Sequence, residues 1–168
     1  MNGNLYFAYG SNMNPDQMAE RCPKATPAGV ALLHGWDVAI NSRGVATIAP
    51  HEAGRVTEGV LWWVTETCLR SLDHYEGVAN GLYVREIFQV RLEHQVVQAI
   101  VYMASSSDPG EPRPGYLEGI LRGADHFGLS RAYRRRLEAL SGPDDDEALA
   151  LARQLRRATG GDRHLRQR

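Results

Sequence analysis

The chain is poor in the features that mark secreted, membrane-spanning and nucleic-acid-binding proteins. It has two cysteines, Cys22 and Cys68, too few and too isolated for a disulfide framework or a zinc site. They read as buried reduced thiols in a reducing compartment. No run approaches the roughly 20 apolar residues of a membrane span, and the first residues lack a basic region followed by an apolar signal core. Charge of one sign is missing too: the net charge is -1, which removes the usual electrostatic reason to expect nucleic acid or an anionic membrane as partner. The expectation is a soluble cytoplasmic protein. Its six histidines include no pair at zinc-ligand spacing, neither Gly-x-Ser-x-Gly nor Gly-x-Gly-x-x-Gly occurs, and there are no internal repeats. No metal is expected.

What is present is ordinary globular composition. With 168 residues, 43% apolar and 23% charged, the chain has room for one domain with a real core. Its organising stretch is Leu5-Tyr6-Phe7-Ala8-Tyr9-Gly10-Ser11-Asn12-Met13, an apolar aromatic run that stops at a small polar turn. The run has the β-favouring residues of a covered strand, and Gly10 permits backbone angles closed to other residues. Asn14-Pro15 then opens a helix, with Asn as N-cap, Pro in the first turn, and Gln17 at the capping-box position. A strand, turn and helix in this order aim backbone N–H groups at one point, a receptor for a carboxylate or an oxyanion.

Further along, short apolar segments at 28–33, 36–41 and 45–49 are separated by glycine turns, which predicts an antiparallel meander. A stronger strand covers 56–64, with Gly59 marking a bulge or a close approach. Thr65 caps a helix that ends at Gly77. Asn80-Gly81 signals a tight turn before a hairpin of strands at 84–92 and 96–103. A Ser-, Pro- and Gly-rich loop spans 105–114, helices are expected over 116–127 and from Ser130 to residue 140, and a last helix follows Gly142-Pro143. That helix carries Asp144, Asp145, Asp146 and Glu147 at its positive end and Arg153, Arg156 and Arg157 near its negative end, the ordering of a solvated helix that satisfies its own dipole. Residues 160–168 read as a frayed basic tail.

One acid stands apart. Leu69, Leu72 and Glu76 fall at i, i+3 and i+7, so Glu76 continues the apolar stripe of its helix and sits at the C-terminal end. Desolvation and the dipole both push its pKa upward, toward the range in which a carboxyl exchanges a proton near neutrality. The alternative is an acid at a turn pointing to water. Asp73 and His74 read as solvated. Ser11 has no histidine placed beside it by motif, so a nucleophilic serine is poorly supported.

Tyr9-Gly10-Ser11-Asn12, then Glu76-Gly77-Val78, then Gly81-Leu82-Tyr83-Val84, then Tyr116 opening a helix toward Gly123-Ala124 together resemble the γ-glutamylcyclotransferase-like (AIG2-like) enzymes, a superfamily that includes butirosin-type γ-glutamyl cyclotransferases. The resemblance covers about residues 4–141. It implies an α+β fold, a mixed and mostly antiparallel β-barrel surrounded by helices, as a catalytic domain over 1–141, with 142–168 left as a C-terminal helix and tail. It also implies a cavity without a cofactor in which a γ-glutamyl amide becomes 5-oxoproline and a free amine. By the same resemblance Glu76 is the catalytic acid, Tyr9, Gly10, Ser11 and Asn12 form the substrate cradle, and Tyr83 and Tyr116 line the pocket. Tyr83 could equally begin a strand, and Tyr116 could be core.

The implied partner is a small γ-glutamyl substrate, with a homodimer left open. Asn12 favours γ-glutamyl amino acids, because related glutathione-specific and glutamylamine-specific enzymes resemble Tyr-Gly-Ser-Leu and Tyr-Gly-Thr-Leu at this turn. The alternatives are the same chemistry on glutathione, a γ-glutamylamine, an ε-lysine isopeptide or a γ-glutamyl-protected biosynthetic intermediate, or a non-catalytic carboxylate-binding module. The 105–114 loop and the C-terminal segment depart most from the shared pattern and are expected to shape the leaving-group pocket.

Overall fold

A computed structural model describes residues 3–51, 53–106 and 108–141; the expected last helix and basic tail lie outside the described residues. The chain runs β1 (Asn4–Ala8), α1 (Pro15–Arg21), β2 (Thr26–His34), β3 (Trp36–Ile40), β4 (Ala46–Pro50), β5 (Val56–Val64), α2 (Glu66–Tyr75), β6 (Tyr83–Leu92), β7 (Gln95–Ala104), α3 (Tyr116–Phe127) and α4 (Arg131–Glu138), with single 3-10 turns at Ser11–Met13, Val78–Asn80 and Ala139–Ser141. No helix among the described residues is long and apolar enough to cross a membrane.

Five strands close a barrel in the order β1-β5-β2-β6-β7. Its consecutive neighbours pair antiparallel, and the seam is a parallel contact between β1 and β7 at Tyr6 and Ile100. The α+β class and the mixed, mostly antiparallel barrel wrapped by helices are therefore present. The meander is not. β3 and β4 form a separate two-stranded sheet, while β2 leaves them to pair with β5 and β6. Glycine turns and apolar runs mark where strands start and stop, but not which strand they join, because pairing is decided by barrel closure.

Gly59 is a close approach rather than a bulge. A Cβ there would lie 2.5 Å from the Ala8 carbonyl oxygen and 2.6 Å from the Phe7 ring, so the absent side chain lets β5 press against the end of β1. The register shift falls instead in β2, between Pro27 and Gly29. Helix α3 seats on the turn after β1 by the same device: a Cβ on Gly123 would meet the Met13 backbone carbonyl carbon at 2.5 Å. Phe7, Met13, Leu72, Ile120 and Leu137 are fully buried between barrel and helices, so the strand that leads to the polar turn is fixed from both sides.

Caps behave mostly as the sequence implies. The Asn14 side chain accepts from Asp16 N–H, and the Thr65 side chain accepts from Cys68 N–H. Gln17 does not complete a capping box, because the Asn14 N–H already donates to the Ser11 carbonyl at 3.1 Å. Cys22 and Cys68 are buried and unpaired.

Adding the missing methyl group at Gly59 forces apart two hydrogen-bonded strands that cannot yield locally. Gly59→Ala is expected to lower the unfolding free energy by about 1–3 kcal/mol, read as a lower midpoint in urea at unchanged slope.

Candidate active site

The end of β1, the turn after it and the end of α2 converge at one mouth of the barrel. There Tyr6, Tyr9, Gly10, Ser11, Asn12, Ala46, Glu76, Tyr83, Tyr102 and Tyr116 line a small chamber of about 30 Å³. A second chamber of about 270 Å³ opens beside it and shares Ser11, Glu76, Tyr83 and Tyr116. All seven residues singled out from the sequence, Tyr9, Gly10, Ser11, Asn12, Glu76, Tyr83 and Tyr116, line the inner chamber.

Glu76 arrives there because α2 stops on it. It is the C-cap of α2, its N–H bonds back to the Leu72 carbonyl at 2.8 Å, and Gly77 reverses the chain at φ 63°. A side chain at Gly77 would be strained by that φ and would also strike Leu82, 2.7 Å from the Cβ position. The carboxyl is therefore aimed inward by an obligatory glycine rather than turned to water. It accepts from the Asn12 side-chain amide at 3.3 Å. Burial pushes its pKa up to about 7; Arg21, Arg43 and the Asn12 bond pull the other way without cancelling it. Proton exchange near neutrality follows from that placement.

Asn12 is held harder than a simple ligand donor. Its amide nitrogen also donates to the Tyr6 hydroxyl at 2.9 Å, and its amide oxygen accepts from Arg21, which bonds Ser11 Oγ at 3.1 Å as well. Because a guanidinium can only donate, Arg21 fixes which way the Asn12 amide faces and so delivers an N–H to Glu76. Arg21 itself lies 4.6 Å over the Tyr75 ring.

The tyrosines form a rigid frame. Tyr9 OH donates to the Tyr102 carbonyl, Tyr83 OH donates to the Ala46 carbonyl at 2.8 Å, and Tyr116 OH accepts from Ala46 N–H at 2.9 Å. Burial raises the pKa of Tyr6, Tyr9, Tyr83 and Tyr116, and the Glu76 charge adds to it in each. They stay protonated. At Gly10 the backbone lies at φ -116° and ψ -138°, outside both the helical and the extended regions, and the missing side chain also supplies space, since a Cβ would stand 3.3 Å from both the Ala46 Cβ and the Tyr116 hydroxyl. The turn spends the carbonyls of Gly10 and Ser11 on Met13 and Asn14, while the first N–H groups of a helical turn have no acceptor within it, as an anion cradle needs.

Sequence reasoning missed Tyr6, Tyr102, Arg21, Arg43 and Arg113 at the two chambers. A signal existed for Tyr6, which falls two residues before Ala8 on the pleat of β1, and a tyrosine in a core run needs a partner for its hydroxyl. Asp73, expected in water, is instead tied to Tyr102 OH at 2.6 Å and to Arg85. His74 is exposed, as expected. Among the described residues no three His, Cys, Asp or Glu side chains gather as a metal site would need.

Comparison with known proteins fits this geometry. The AIG2-like family model matches residues 56–137. Human γ-glutamylcyclotransferase is 33% identical over 154 residues, 84% of this chain and 80% of the relative; the mouse γ-glutamylcyclotransferase is 30% identical over 149 residues, 81% and 78%. A solved γ-glutamyl cyclotransferase superposes with TM-score 0.78 at 28% identity, covering 90% of this chain and 99% of that one. The chain belongs to the γ-glutamylcyclotransferase-like, or AIG2-like, family.

The raised pKa has a stability consequence whose sign is fixed. Glu76 holds its proton more tightly folded than unfolded, so its contribution to stability is fully present below about 4.5 and is lost as pH rises through about 7. Glu76→Gln, which mimics the protonated form, is expected to melt above the parent at pH well over 7. The gap should close in acid, which thermal melts across pH would show.

Proposed function

We propose that the chain is a γ-glutamylcyclotransferase that releases 5-oxoproline and a free amine from a γ-glutamyl amide. The observation that carries this reading is the single carboxyl with pKa near 7, held in a tyrosine-framed chamber beside the 10–12 turn. The names of the relatives, γ-glutamylcyclotransferase in human and mouse, support it.

In the proposed reaction the substrate's α-amine attacks its own γ-carbonyl carbon. A C–N bond closes the five-membered lactam, and the C–N bond to the leaving amine then breaks. Nucleophile and electrophile are already tethered, so the enzyme gains most by folding the glutamyl chain into its cyclising conformer, where effective molarities can reach on the order of 10⁵ M or more. The α-amine is mostly protonated at neutral pH. Glu76 takes one proton to free the nucleophile and returns it to the departing nitrogen, which a carboxyl near neutrality does in both directions, while the second proton that the ring nitrogen sheds on closure passes to water. The N–H groups of the turn hold the α-carboxylate or the developing oxyanion. Asn12 and Arg21 act behind Glu76 as positioning residues, and the closed tyrosine frame keeps the carboxyl out of bulk water. Chemistry of this kind, an internal acyl transfer with one shuttled proton, calls for no cofactor.

A carboxylate-binding module is the weaker reading, because an anion such as Glu76 in the pocket would repel its own ligand. Incubation with a panel of γ-glutamyl amides, with 5-oxoproline followed by mass spectrometry, tests the proposal. Product is expected from the parent, and Glu76→Gln should lose roughly 10²-fold or more in turnover while substrate binding stays within a few-fold. Turnover close to the parent in that variant would remove Glu76 from the mechanism.

A further inference from the structure

The outer chamber carries an excess of positive charge that the reaction as proposed does not use. Its lining includes three guanidinium groups, Arg21, Arg43 and Arg113, against one carboxyl, Glu76. Arg21 is committed to Ser11 and Asn12. Among the described residues neither Arg43 nor Arg113 meets a carboxylate, and the Arg43 Nη1 atom is buried without any hydrogen-bond partner. A buried donor left unsatisfied is costly. Arg43 also lines the chamber that adjoins the catalytic carboxyl.

The two arginines are also positioned together. Arg113 Nε donates to the Arg43 carbonyl at 2.6 Å, and Arg113 N–H donates to the Gly44 carbonyl at 3.0 Å. Gly44 has φ 75°, and a Cβ on it would strike Arg113 Cγ at 2.7 Å and the Glu111 carbonyl at 2.9 Å. The turn after β3 and the loop before α3 are thus clasped backbone to backbone. Arg43 leans 6.0 Å over the Tyr83 ring, which lines both chambers.

Charge counting then constrains the ligand. A γ-glutamyl group brings one carboxylate and one ammonium and is neutral as a unit. Three guanidiniums with an ionised Glu76 leave the outer chamber two positive charges in excess, so the compensating anions must come from the leaving group. We infer that the outer chamber accepts a leaving amine bearing two carboxylates, an acidic amino acid joined through its α-amine to the γ-carboxyl of glutamate, with Arg43 and Arg113 as its specificity-determining residues. The inference rests on the function proposed above. It also gives the loop before α3, expected from the sequence to shape the leaving-group pocket, a defined task.

The test compares γ-glutamylglutamate with γ-glutamylglutamine, which differ by one charge at nearly equal shape, by initial rates of 5-oxoproline release. In the parent, kcat/KM should favour the glutamate substrate by roughly two- to fivefold, the upper part of the range for exposed charge pairs, through KM, and the preference should shrink as salt rises. Arg43→Gln and Arg113→Gln should each bring the ratio toward one. Equal rates on the two substrates in the parent, or a ratio unchanged in both variants, would overturn the inference. So would release from γ-glutamylalanine with none from γ-glutamylglutamate, and that outcome leaves the proposed function standing. Silence on every γ-glutamyl amide would overturn the functional reading and the inference with it.

Discussion

Keeping one carboxyl largely out of water at the mouth of a barrel is the constraint on which the rest of this structure depends. Desolvation is the main cause of the raised Glu76 pKa, and it outweighs two nearby guanidiniums and a hydrogen bond. The surrounding scaffold can be understood as what that burial requires. Gly77 reverses the chain so the side chain turns inward, Asn12 meets it with an N–H, and Arg21 locks the Asn12 amide in the one orientation that does so. None of these contacts is strong alone. Together they hold a group that would otherwise swing into solvent and titrate as an ordinary acid.

The barrel supplies rigidity at the same place. β1 is paired on both edges, to β5 and to β7, and two missing side chains, at Gly59 and Gly123, let β5 and α3 press on it and on the turn it feeds. The turn is therefore set by packing as well as by its own hydrogen bonds. Tyr83 and Tyr116 reach the same residue, Ala46 of β4, from opposite elements. In this way the small β3–β4 sheet, which contributes no strand to the barrel, becomes one wall of the site.

Much of this was legible in the chain. Strand and helix positions follow from apolar runs, caps and glycine stops, and helix 116–127 is found where Tyr116 and Gly128 mark it. Glu76 could be singled out because the stripe Leu69, Leu72, Glu76 is a local pattern. The partners of the strands could not, since β2 skips β3 to join β5 by closure of a barrel, a property of the whole sheet. Arg21, Arg43 and Arg113 were illegible for a related reason. They come from a helix end, a tight turn and a loop far apart in sequence, and a lone arginine in any of these looks solvated. Gly10 was legible as a turn glycine with backbone angles outside the helical and extended regions, but the room that its missing side chain leaves beside Tyr116 was not.

The central claim concerns a single ionisation, and it is open to direct measurement. Carbon-13 NMR of the side-chain carboxyls, titrated across pH with Glu76→Gln as the assignment control, reports the Glu76 pKa in the folded protein. The account predicts a midpoint near 7, well separated from the other glutamates. A midpoint at the ordinary value of 4.5 would mean that the carboxyl is solvated, and the proton shuttle would lose its basis.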